Sequence, residues 1–187
     1  MDVKLSSTRK AACNGYTLIE LLITLAIATT LLNLAAPAGA FLLSDTKAST
    51  TVNHFAAELR FARSHAVKHG HHVSVCKSLD QQRCDNTGQW RDGWIIFVDL
   101  NRDRARNPGE PLLRSGSLDT PNLNLEYRAF PTDNYVVYYP TGRSLGNGTF
   151  TFCDTSGIAA PRALVLYKTG RLRADSQMPD GSALSCT

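Results

Sequence analysis

The chain has 187 residues, a 43% hydrophobic fraction and a formal net charge of +4. That length accommodates one domain plus whatever the N-terminus does. Lys4, Arg9 and Lys10 against Asp2 supply +2 of the charge, leaving +2 for everything after them, so any argument about partners must rest on local charge.

Residues 16–36 carry a single charge, Glu20, and form a run long enough to cross a bilayer as a helix. The basic flank before it places that side in the cytoplasm. An ordinary secretory signal is one reading, and "AAPAGA" at 35–40 offers small residues for cleavage. Two features oppose it. The apolar run exceeds a usual signal core, and Glu20 unpaired at mid-membrane would cost roughly 2.5–3.5 kcal/mol. A removable signal gains nothing from that residue, so a partner for it is expected.

Gly15-Tyr16-Thr17-Leu18-Ile19-Glu20 resembles the processing site of type IV pilins and pseudopilins. The resemblance implies cleavage after Gly15 by prepilin peptidase and N-methylation of the new terminus, Tyr16, where the family more often has Phe. Residues 1–15 would then be a leader, 16–41 a transmembrane and filament-core helix, and 42–187 a periplasmic head. Counted from Tyr16, Glu20 becomes the fifth residue and Pro37 the twenty-second, where pilin helices commonly kink. In a filament, the Glu20 carboxylate can pair with the α-ammonium of a neighbouring subunit, offsetting its burial and setting the axial register.

From Thr50 to Lys68, Val52, Phe55, Ala56, Leu59, Ala62 and Ala66 fall on one helical face, and Gly70 is a stop. Eight strands are then predicted: His72–Lys77, Trp94–Asp99, Pro111–Ser115, Leu123–Arg128, Tyr135–Tyr139, Thr149–Cys153, Ala163–Lys168 and Arg171–Ala174. A helix followed by antiparallel sheet is an α+β architecture. No internal repeat stands out.

Of five cysteines, Cys13 lies in the N-terminal stretch, so four remain to form two disulfides in an oxidising compartment. Three pairings are possible. The preferred one joins Cys76 to Cys84 and Cys153 to Cys186.

Further stretches resemble the GspH/FimT family of type IV pilin-like proteins: "LRFARSHAVKHG", "GWIIFVDLNRD", "GNGTFTFCD" and "ALVLYKTGRLR". This implies a type IV pilin-like fold, with the long N-terminal helix packed on an antiparallel head. Members divide into type II secretion pseudopilins and minor pilins of type IV pili. The FimT branch is linked to DNA uptake in natural transformation through a basic G-R-x-R motif, here Gly170-Arg171-Leu172-Arg173.

The residues support part of this independently. Between positions 143 and 173, Arg143, Arg162, Lys168, Arg171 and Arg173 face one acid, Asp154. Thr169-Gly170 reads as a two-residue hairpin turn, with Lys168 opposite Arg171. Arg171 and Arg173, two apart on a strand, would share a face and suit successive phosphates. Such contacts hold a backbone without reading bases. Lys168, Arg171 and Arg173 are the candidate DNA-binding residues, with Arg143 from a separate loop as a further one. A solvated edge that discourages strand addition is the bland alternative.

Other constellations carry less. Asp99, Asn101, Asp103, Ala105, Asn107 and Glu110 have EF-hand spacing, but Arg104 occupies the position that needs glycine, so an Asx-rich loop is expected. His65 and His69 lack a carboxylate partner, and Trp90 and Trp94 suit a core. No nucleophile elbow or phosphate-cradling loop is present. A non-enzyme without cofactor or metal is expected, held in the inner membrane by one span until it enters a pilus or pseudopilus with other pilins. The readings are a FimT-like minor pilin that binds DNA, a secretion pseudopilin, or a purely structural assembly subunit.

Overall fold

A computed structural model describes residues 15–120 and 122–186, with the side chains of 34–41 excepted. The basic flank, Cys13 and most of the leader lie outside the described residues, as does the side chain of Pro37, on which the expected kink rests. The chain divides into two compact units, meeting at Gly39 and Ala40.

Helix α1 spans Leu18–His69. Thr17 caps its start: Glu20 N–H donates to Thr17 Oγ1 at 3.3 Å, satisfying one of the donors that a helix N-terminus leaves free. In the first unit, Leu18, Ile19, Leu21, Leu22, Ile23 and Leu25 are exposed in the single chain. Among the described residues, which on this part of α1 stop at Asn33 for side chains, no helix is long and apolar enough to cross a membrane. Gly70 ends the helix in the left-handed region (φ 71°), its N–H bonded to Ala66 O at 3.0 Å.

The second unit holds eight strands: β1 (Val73–Lys77), β2 (Trp94–Val98), β3 (Leu112–Gly116), β4 (Leu123–Ala129), β5 (Tyr135–Tyr138), β6 (Gly148–Asp154), β7 (Arg162–Leu166) and β8 (Leu172–Asp175). Each overlaps one of the segments predicted from the sequence. They form two four-stranded antiparallel sheets rather than one, ordered β3-β2-β1-β5 and β4-β6-β7-β8. β5 returns to pair with β1 while β4 pairs with β6, and this exchange divides the sheet.

Ala48, Val52, Phe55, Ala56, Leu59, Ala62 and Ala66 are buried in one core with side chains from both sheets. The stripe is rich in alanine, which lets the helix approach the sheets closely. Phe55 lies edge-on to Trp94, Phe150, Phe152 and Trp90, with ring centroids 4.8–6.2 Å apart. A smaller cluster of Cys76, Ile95 and Phe97 covers the other face of the first sheet, which is why β2 is buried throughout. Disulfides join Cys76 to Cys84 and Cys153 to Cys186.

Candidate functional site

β7 and β8 pair with Val165 opposite Arg173 and Leu166 opposite Leu172. Tyr167 N–H donates to Arg171 O at 2.9 Å, and Gly170 N–H to Tyr167 O at 2.7 Å. The turn is therefore Lys168-Thr169-Gly170, three residues closed by a left-handed glycine (φ 80°), and not the two-residue turn expected. Tyr167, not Lys168, faces Arg171. Lys168 moves to the tip, which removes the like-charge opposition the shorter turn would impose.

Glycine at 170 is required twice over. Its φ is left-handed, and a Cβ there would lie 2.0 Å from Gly142 O and 2.7 Å from Arg63 Nε. Arg63, half-buried on α1, donates from Nε to Gly142 O at 2.7 Å and from Nη2 to Thr169 O at 3.2 Å. Ser144 N–H donates to Lys168 O at 3.1 Å, and Asn147 Oδ1 accepts from Lys168 N–H at 2.6 Å. The turn is thus tied to the helix and to the loop carrying Arg143.

The cations are not equally available. Arg143, Lys168 and Arg171 are exposed and lack a carboxylate partner among the described residues. Arg173 is exposed but its guanidinium pairs with Asp175, two residues along the same strand. Arg162 reaches Asp45 on α1 at 2.7 Å and serves the packing of helix on sheet. Asp154 is committed elsewhere: bonds from the Ser156 hydroxyl, Ala159 N–H, Ser156 N–H and the Ser44 hydroxyl hold its carboxyl well below the usual carboxylate range.

Sequence reasoning missed a second wall of charge. Arg60, Arg63, Ser64, Val67 and Lys68 of α1 line an open groove with Gly170, Arg171 and Leu172. Their i, i+3, i+4, i+7, i+8 spacing is one helical stripe, but its mixed polarity hid it.

The remaining candidates do not line this groove. Glu110 accepts Leu100 N–H and Asn107 N–H, both at 2.8 Å, while Asp99 Oδ2 accepts the Ser74 hydroxyl at 2.7 Å. These carboxylates hold their own loop together. His65 and His69 stack at 4.2 Å, and burial, followed by His69, His71 and Lys68, lowers the His65 pKa. Trp90 Nε1 donates to Asp133 O at 2.8 Å within the core. At the other end of the chain, Gly15 and Tyr16 are exposed, and Glu20 has no cationic partner among the described residues.

The family model described as Type II transport protein GspH matches residues 51–170, and the prokaryotic N-terminal methylation motif matches residues 10–32. No curated protein matches. Crystal structures of the type IV minor pilin FimU of Pseudomonas aeruginosa share the fold. One has a TM-score of 0.53 at 19% identity over 75% of this chain and 92% of that one, and a second crystal form 0.52 at 20% over 73% and 96%. The minor pseudopilin EpsH of Vibrio cholerae is more distant, with a TM-score of 0.49 at 12% identity over 68% and 95%. With a methylation motif on its first helix and a GspH match across most of the head, this chain belongs to the GspH family of type IV pilin-like minor pilins and pseudopilins.

Proposed function

We propose that the chain is a FimT-like minor pilin that takes part in pilus biogenesis and binds DNA without sequence preference during natural transformation. It is made as a precursor, cut after Gly15 by prepilin peptidase, N-methylated on Tyr16 and held in the inner membrane by residues 16–41. The head then faces the periplasm until the subunit joins other pilins in a filament. It acts by binding, not by catalysis.

One observation carries the DNA reading. Arg171 and Lys168 stand exposed and acid-free on a turn whose conformation Gly170 and Arg63 dictate. Unpaired guanidinium and ammonium groups carried on a fixed turn suit phosphate oxygens, and few contacts per subunit make several copies necessary for useful affinity. The test is titration of the soluble head, residues 42–187, with duplex DNA at low and moderate salt. Binding that weakens steeply with salt, and is lost on Arg171→Gln with Arg173→Gln, supports the reading. A wild-type head without affinity at low salt overturns it.

The family's own description supports a second reading, a secretion pseudopilin whose head contacts proteins. It would leave secretion, not DNA uptake, as the process lost on deletion.

A further inference from the structure

The turn that presents Arg171 occurs twice. Tyr139-Pro140-Thr141-Gly142-Arg143 and Tyr167-Lys168-Thr169-Gly170-Arg171 share the pattern Y-x-T-G-R, 28 positions apart. The backbones match as well. Tyr139 N–H donates to Arg143 O at 2.9 Å and Gly142 N–H to Tyr139 O at 2.8 Å, reproducing the 2.9 and 2.7 Å bonds of the second turn. Gly142 and Gly170 have φ of 77° and 80°. Flanking residues pair alike, Tyr138 with Ser144 and Leu166 with Leu172. Each turn therefore delivers an arginine at the same position of the same bulged hairpin, one from each sheet.

The two turns touch. A Cβ on Gly170 would meet Gly142 O at 2.0 Å, and Ser144 N–H bonds Lys168 O. Arg63 spans them, with one donor on a carbonyl of each turn. Its charge is spent on two peptide oxygens, so it acts on the other arginines by fixing where they stand.

We infer that the twin turns form one phosphate-gripping unit, in which Arg143 equals Arg171 in weight and Arg63 is the positioning residue that locks their spacing. This rests on the DNA reading above and adds a second arginine and a geometric coupling to it. Two turns whose backbones are held at a fixed separation bring both arginines to neighbouring phosphates of one backbone without the cost of ordering the loops that carry them, leaving only the side chains to be ordered.

The test uses the full mature chain in detergent micelles and duplex DNA of mixed sequence, with affinity read across a salt series. Arg143→Gln is expected to cost as much affinity as Arg171→Gln, each lowering the log–log salt slope by about 0.9. The double variant should lose less than the two losses combined, and in an Arg63→Lys background, which keeps the charge, the losses should become additive. Lys47→Gln, an equal charge change at an exposed site elsewhere on α1, should leave affinity within about twofold. If Arg171→Gln weakens binding and Arg143→Gln matches Lys47→Gln, the twin-turn unit is wrong while the hairpin reading stands. Additive losses with Arg63 intact overturn the coupling. A wild-type chain that binds no DNA at low salt removes both.

Discussion

Arg63 and Gly142 are joined by a 2.7 Å hydrogen bond from the guanidinium Nε to the glycine carbonyl oxygen, the same oxygen a side chain at position 170 would strike. Helix, loop and hairpin turn converge on this one peptide group. The basic motif is therefore a buttressed corner of the head, and its sensitivity to substitution extends to residues that never touch a ligand.

Gly170→Ala places a Cβ on a left-handed residue and against that carbonyl. The two effects together are expected to cost about 1–3 kcal/mol. Thermal unfolding of the head should show a clear drop in midpoint, and an unchanged midpoint would mean the turns can separate without penalty.

Arg63→Lys keeps the charge and removes the forked donation to Gly142 and Thr169. A loss of about 1–2 kcal/mol is expected, since an ammonium cannot reproduce two in-plane bonds. Amide hydrogen exchange at Gly170 and Ser144 should quicken ahead of exchange in β1 and β2. Uniform acceleration would indicate a global effect instead.

His65 and His72 both have pKa values lowered below 6.5, chiefly by burial. His65 Nδ1 is buried without a hydrogen-bond partner, and Lys68, His69 and His71 surround the ring with like charge. A depressed folded-state pKa means the unfolded chain binds the proton more readily. Stability from this source is complete above pH 6.5 and falls as pH drops below it. Denaturant midpoints measured from pH 7.5 to 5 should decline, and His65→Gln should flatten the decline. A wild-type midpoint that holds steady across this range would show that the histidines do not act so.

The Glu20 carboxylate has no cationic partner within the single chain among the described residues, although it stands in an apolar run. Glu20→Ala should leave the head folded, with unfolding midpoints unchanged, and reduce incorporation into filaments several-fold. Undiminished incorporation would leave the carboxylate without its proposed role in register.

What the sequence made legible was contiguous. The Gly15–Glu20 motif, the buried stripe from Val52 to Ala66 and the eight strands each occupy one short window, marked off by glycine and proline. What it hid was either non-local or a matter of one residue. Arg162 finds Asp45 across 117 positions, and Arg173 is neutralised by Asp175, an acid just beyond the end of the basic run. The hairpin length turned on whether Gly170 closes a two-residue or a three-residue turn, and a glycine at that point permits both. The repeated Y-x-T-G-R is only five residues long, and it acquires meaning once Gly142 and Gly170 are seen in contact.

The Cys153–Cys186 bridge fixes how the head answers a mechanical load. β8 lies at the rim of its sheet, where a pull on the tail beyond it would peel one rung after another. The bridge returns that tail to β6, an interior strand flanked by β4 and β7. Tension on the chain beyond Cys186 therefore passes through the bridge to β6 and bypasses β8, leaving the arginine turn slack.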